Sequence, residues 1–161
     1  MFLKPDYLID GDITDIDLDR LAADGIKGLI LDLDSTIMAP KSGIITDDVA
    51  DWLARAQARF AMAVASNNKN TAYLEKVQQV LTMPIIFRAA KPSRKAFLKL
   101  VLDFDLKPSE IAVIGDRPLT DIWGGKRAGM KTILVRVLKT MQEPVWKSRM
   151  RNMERIFIKN R

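Results

Sequence analysis

Residues 26–36 read IKGLILDLDST, and this stretch decides the fold. Ile26, Leu29, Ile30, Leu31 and Leu33 make it almost continuously apolar, the pattern of a strand buried on both faces. Such strands belong to parallel sheets covered by helices and joined by right-handed crossovers. The apolar run is broken by Asp32 and Asp34. Two carboxylates two positions apart at a strand end project to the same side. One aspartate there is commonly a helix cap. Two, with a third arriving from elsewhere, point to a divalent cation.

Working outward, strand patterns alternate with helical ones. Thr14 or Asp15 is positioned to cap a short helix that Gly25 ends. Downstream, Thr46 opens a helix with Val49, Trp52, Leu53 and Ala56 on one face. FAMAVAS (60–66) is a second buried strand, residues 70–81 a helix, and PIIF (84–87) a short third strand with Pro84 at its edge. Ser93 opens the next helix. A turn at Pro108-Ser109 leads to a fourth strand over 111–114. A helix over 119–128 ends at Gly129, and residues 131–137 form a fifth strand. The chain reads as a single domain over 1–161, with a basic amphipathic segment at 139–161.

The 161 residues contain no histidine and no cysteine. That removes Ser-His-Asp triads, Cys-His pairs, zinc knuckles, iron–sulfur clusters and redox disulfides. Chemistry must run on carboxylates, hydroxyls and amines, with or without a bound metal. The acidic start shows no signal-peptide or transit-peptide pattern, no apolar run reaches membrane-spanning length, and missing cysteine fits the cytoplasm. Lys and Arg number 26 against 20 Asp and Glu. Their distribution is uneven: net −6 over residues 1–60, +7 over 61–138 and +5 over 139–161. The basic part suits a partner that carries negative charge, such as a phosphorylated substrate, a nucleic acid or an anionic membrane.

In an open parallel sheet, ligands sit beyond the carboxyl ends of the strands, where strand order reverses. The first buried strand ends in Asp32, Asp34 and Thr36. The second ends in Ser66, Asn67 and Asn68. Lys91 follows the third, and Gly115-Asp116 ends the fourth, with Asp121 five residues on. Asp32, Asp34 and Asp116 can meet there. Hard oxygen ligands without His or Cys select Mg²⁺, which binds alongside phosphate. A hydroxyl at Ser66 and an ammonium at Lys91 suit phosphate oxygens.

DLDST (32–36), Ser66 of VASNN, Lys91 of AKP and GDRPLTD (115–121) resemble the four motifs of the haloacid dehalogenase (HAD) superfamily phosphatases, in the right order. A narrower resemblance is to the YqeG-type branch, which includes phosphatidylglycerophosphate phosphatases. It rests on the N-terminal stretch IDGDITDIDLDRLAADGIKGLILDLDST, SNN after the second strand, and TDIWGGKRAGM. The resemblance implies a three-layer, Rossmann-like α/β fold: a five-stranded, mainly parallel sheet in order 3-2-1-4-5 with a minimal cap. It makes Asp32 the nucleophile and Asp34 the general acid and base, with its main-chain carbonyl on the metal. Thr36 holds Asp34. Ser66, Asn67 and Lys91 bind phosphate, Asp116 is a Mg²⁺ ligand, and Asp121 lies behind it or contacts Lys91.

The resemblance implies removal of the terminal phosphate of phosphatidylglycerophosphate. Alternatives are an oligomeric soluble phosphatase for a sugar phosphate or nucleotide, and a nucleic-acid end phosphatase, although no nucleic-acid module is recognisable. Little chain is available for a cap, so the site is open and suits a large substrate such as a lipid head group. In the tail, Trp146, Met150, Met153 and Phe157 follow 4, 3, 4 spacing among basic residues. That is an amphipathic helix, which either packs its apolar face on the domain or lies on anionic lipid. The first eight residues read as a frayed terminus or an aid to that surface. Arg117 is unexpected after Asp116 and either contacts phosphate or faces solvent.

Overall fold

The computed structural model describes residues 3–141 and 145–159. Six strands form one sheet: β1 (Tyr7–Leu8), β2 (Gly28–Leu31), β3 (Ala61–Ala65), β4 (Ile85–Ile86), β5 (Ile111–Gly115) and β6 (Lys131–Leu134). Their order is β1-β6-β5-β2-β3-β4, and every pair of neighbours is parallel. The helices are α1 (Leu18–Ala23), α2 (Asp47–Gln57), α3 (Thr71–Val80), α4 (Lys95–Phe104), α5 (Trp123–Arg127) and α6 (Val145–Lys159). The architecture is α/β and Rossmann-like, as expected.

The strand count is not as expected. The five strands inferred from the sequence lie in the inferred relative order, but a sixth, β1, is added beside β6, with Tyr7 opposite Ile133 and Leu8 opposite Leu134. The addition is held by polar contacts that no apolar pattern announces. The Asp6 amide donates to Thr132 O at 3.0 Å. In return the Asp6 carboxylate accepts from the Thr132 amide at 2.9 Å and its hydroxyl at 3.0 Å. A segment of the supposedly frayed terminus thus becomes an edge strand.

The period-2 rule separates two apolar layers. Leu29, Leu31, Met62, Val64, Ala112, Ile114 and Ile133 face the layer with Leu21, Trp52, Tyr73 and Val77 from α1, α2 and α3. Ile30, Ala63, Ala65, Ile111 and Val113 face Ala96, Phe97 and Leu100 of α4, together with Met130. β2 is buried along its whole length between them, so Asp32, next in the chain, emerges from the middle of the molecule.

Local departures follow from cap chemistry. The cap of α1 is Asp17, which accepts from the amides of Asp19 and Arg20. Thr14 and Asp15 instead sit in a separate short turn begun by Asp12. The helix expected over 119–128 opens as a wide turn, Pro118–Ile122, and becomes α-helical only at Trp123. Gly129, at φ +78°, ends it in the left-handed conformation glycine favours.

The pattern of α6 leaves its direction open. A helix forms where the 4, 3, 4 pattern lies, but most of its described apolar face stays exposed. Arg151, Glu154 and Arg155 make polar contacts to the body. Trp146, Met150 and Met153 are exposed; the side chain of Phe157 lies outside the described residues. Among the described residues no helix is long and apolar enough to cross a membrane.

Candidate active site

The carboxyl ends of β2, β3 and β5 converge on one cleft of about 320 Å³. Asp32, Asp34, Ser66, Asn67, Lys91 and Asp116 line it together with Lys41, Asn68, Arg117, Trp146, Met150 and Arg151. The Asp32 amide still pairs with Ile114 O at 2.9 Å, which fixes the aspartate at the last rung of the ladder. After it the chain turns sharply. Ser35 takes φ +70°, and its amide donates to Met38 O at 2.8 Å. This turn places Thr36 in the interior.

Lys91 is the hub. Its ammonium lies 2.7 Å from Asp32 Oδ1 and 2.6 Å from Asp121 Oδ1. Its side chain is 3% exposed, so both pairs are shielded from water. Burial alone pushes the ammonium toward its neutral form, but the charges of Asp121 and Asp32 outweigh it and hold its pKa above the ordinary lysine value. The Asn67 side chain brackets the Lys91 backbone, donating to its carbonyl at 3.0 Å and accepting from its amide at 2.7 Å. Asn67, expected to bind phosphate, lines the cleft and uses its side chain to fix Lys91.

Asp34 and Thr36 also have partners other than those expected. The Asp34 carboxylate accepts from the Tyr73 hydroxyl at 2.7 Å and from Asn68 Nδ2 at 3.0 Å. Thr36 Oγ1 donates to Asp116 Oδ1 at 3.3 Å, not to Asp34. Tyr73 and Asn68 thus perform the holding assigned to Thr36. Periodicity does not announce Tyr73 at the site, because a phenol serves both core and cleft and periodicity reveals only the first. Ser66 Oγ accepts from the Asn68 amide at 3.1 Å, so its own hydrogen can be directed at a ligand.

Asp116 and Asp121 close the far side. An added Cβ at Gly115 would fall 2.2 Å from Asp121 Oδ2, so only glycine lets that carboxylate fold back on the strand end. The wide turn after Pro118 aims it there, and Arg117 N–H donates to Asp121 Oδ2 at 3.2 Å. Arg117, its side chain 40% exposed at the cleft, donates from its guanidinium to Glu154 at 2.8 Å. Arg151, also from α6, puts Nε 2.6 Å from Asp116 Oδ2. The tail's charge pattern announced basic residues but not that one would enter the site.

This electrostatic crowding suits a cation. Asp32, Asp116 and Asp121 each bring a carboxylate oxygen within 4.8 Å of the others. Burial, then the charge of Asp32, raises the pKa of both Asp116 and Asp121 above the ordinary carboxylate value. Asp116 Oδ2 is buried and, beyond its ion pair with Arg151, accepts no aligned hydrogen bond among the described residues. An oxygen in that condition, among hard donors only, fits Mg²⁺. The Asp34 carboxylate is not in this trio.

Comparisons with known proteins agree with this geometry. The HAD-hydrolase-like family model matches residues 88–152. The chain is 33% identical over 134 residues to the protein named probable phosphatase YqeG of Bacillus subtilis (strain 168), covering 83% of this chain and 77% of that one. It is 29% identical over 157 residues to phosphatidylglycerophosphate phosphatase 1, chloroplastic/mitochondrial, of Arabidopsis thaliana, covering 92% of this chain and 45% of that protein, so it spans under half of that relative's length. In fold it resembles 2-haloacid dehalogenase from Pseudomonas syringae pv. Tomato DC3000, with a TM-score of 0.50 at 16% identity, over 68% of this chain and 86% of that one. The chain belongs to the haloacid dehalogenase-like family and is a hydrolase of its phosphatase type.

Proposed function

We propose that the chain is a Mg²⁺-dependent phosphomonoesterase that works through an aspartyl-phosphate on Asp32 and converts phosphatidylglycerophosphate to phosphatidylglycerol. The observation that carries the chemistry is the placement of Lys91 between Asp32 and Asp121, 2.7 Å and 2.6 Å away. Asp32 attacks phosphorus, a new P–O bond forms to its carboxylate, and the bond to the leaving alkoxide breaks. Asp34 gives that alkoxide a proton, then takes one from the water that releases phosphate. Lys91 offsets the charge that accumulates between Asp32 and the phosphoryl oxygens, and Ser66 donates its hydroxyl to one of those oxygens. Asp32 and Asp116 by carboxylate, and Asp34 by its main-chain carbonyl, are the groups that would hold Mg²⁺. When bound, the ion supplies charge neutralisation between nucleophile and phosphate.

The lipid substrate is supported by the name of the Arabidopsis relative and by the mouth of the cleft. Trp146 and Met150 give that mouth an apolar wall, and Lys41 and Arg117 give it positive charge. On this reading the chain acts as one domain in the cytoplasm, in peripheral contact with an anionic membrane surface.

The test is phosphate release with Mg²⁺ from phosphatidylglycerophosphate in detergent micelles, set against a panel of sugar phosphates and nucleotides. The expected kcat/KM for the lipid exceeds that for every soluble ester by at least about a hundredfold, and Asp32→Asn abolishes both. A soluble ester turned over as well as the lipid would overturn the substrate, and an active Asp32→Asn protein would overturn the mechanism.

A further inference from the structure

Helix α6 is docked the opposite way from what burial of its apolar face requires. Its inward side is charged. Arg151 reaches Asp116, Glu154 accepts from Arg117 at 2.8 Å, and Arg155 donates to Val135 O. Its outward side carries Val145, Trp146, Met150, Met153 and Ile156, with Trp146 61% and Met153 62% exposed. These five positions fall on one stripe by the 3.6-residue period, with the exposed Arg149 among them. A helix whose only partner were its own domain would turn that stripe inward, because the apolar area is otherwise left in water.

Two features specify what covers the stripe. The first is charge. Of the segment's basic residues, Arg151 and Arg155 turn to the body, while Arg149 lies exposed on the stripe. Tryptophan and methionine beside arginine on a helix surface suit the boundary between acyl chains and anionic head groups. The second is continuity with the catalytic cleft. Trp146 and Met150 belong both to the stripe and to the cleft lining, and Arg117 and Lys41 line the same cleft. A surface lying along the stripe therefore passes over the cleft mouth.

We propose that the outward face of α6 is the surface on which this protein lies on an anionic bilayer, and that the catalytic cleft opens at the edge of that contact. A phosphorylated head group then reaches Asp32 without its acyl chains leaving the membrane. The benefit to catalysis rests on the phosphatase reading above; the docking itself does not. The fold supplies what the sequence pattern could not: the direction in which the amphipathic face points.

The experiment is co-sedimentation of the full chain with phosphatidylcholine vesicles, with and without phosphatidylglycerol. The comparison variant is Met153→Ser/Ile156→Ser, which removes two apolar side chains outside the cleft and changes no charge; Val145→Ser/Met153→Ser is a second, overlapping pair. Thermal melts establish that each variant is folded. Wild type is expected to pellet with the anionic vesicles and to be released by salt, since screening acts over about 8 Å at physiological ionic strength. Each variant is expected to partition at least about tenfold more weakly. Equal binding by wild type and both variants would overturn the proposal, as would no binding by wild type. So would a lipid-free dimer that the substitutions convert to monomer, which would make a second copy the occupant. Wild type that hydrolyses an aryl phosphate with Mg²⁺ but ignores vesicles refutes the docking alone. Wild type that binds vesicles through the stripe but hydrolyses no phosphate ester refutes the phosphatase reading alone.

Discussion

Arg151→Gln should tighten Mg²⁺ binding. In the structure the Arg151 guanidinium holds the buried oxygen that a metal at Asp116 would need, Nε lying 2.6 Å from Oδ2 with side-chain exposures of 11% and 1%. A cation must therefore displace a cation. A hydrogen bond to a charged group contributes about 1.5–3 kcal/mol net. Asp116 Oδ2 accepts no aligned hydrogen bond among the described residues, and a displaced guanidinium near the surface regains part of its hydration. The net cost of displacement is then about 1–2 kcal/mol, or about 5- to 30-fold in the dissociation constant. Removing the guanidinium also leaves the carboxylate trio with less positive charge, which acts in the same direction. Isothermal titration of Mg²⁺ into both proteins measures this directly and requires no turnover. The Glu154–Arg117 pair is untouched by the substitution and should keep α6 docked. A variant that binds Mg²⁺ no more tightly than wild type would refute the reasoning, because Arg151 would then not compete for the metal's oxygen.

Three further outcomes follow from the same contacts. Tyr73→Phe removes the donor to Asp34 Oδ1; as a positioning change it should lower kcat on an alkyl phosphate about tenfold and on an activated aryl phosphate much less, and equal losses would contradict Asp34 as the leaving-group acid. Lys91→Met leaves Asp32 and Asp121 facing each other without their shared ammonium, so chemical denaturation should show a loss of about 3–5 kcal/mol at neutral pH that shrinks in acid, where the carboxylates can protonate. The raised pKa values of Asp116 and Asp121 favour the folded state while these groups are protonated; that contribution is complete below the ordinary Asp pKa near 4 and is lost as pH rises through the raised values. A cation prefers the ionised pair, so the rise in melting temperature on adding Mg²⁺ should grow as pH increases from about 4 toward neutrality, and a constant increment would count against Asp116 as a ligand.

How far the sequence could be read depended on which force wrote each feature. Burial on both faces leaves a continuous apolar run, so β2, β3 and β5 were legible, and with them the strand ends that bring Asp32, Ser66 and Asp116 to one cleft. β1 was not legible, because two residues cannot show a period and the strand is tied on by Asp6 and Thr132. Polar partnerships were the least legible. Residue type named Asp34 and Thr36 as interacting groups, but only the turn at Ser35 decides that Thr36 reaches Asp116 while Tyr73 and Asn68 take Asp34. For α6 the pattern was visible and its direction was not. Amphipathicity states that two faces differ; it does not state which faces the protein. That is settled by what the body offers in return, and here the body offers Asp116, Arg117 and a backbone carbonyl, all polar. The charged side of the helix is therefore the one that fits, and the apolar side is turned away from the site while two of its residues still border it. A feature that reads as ordinary core packing in one dimension becomes, once its partners are known, the boundary between the catalytic cleft and the outside.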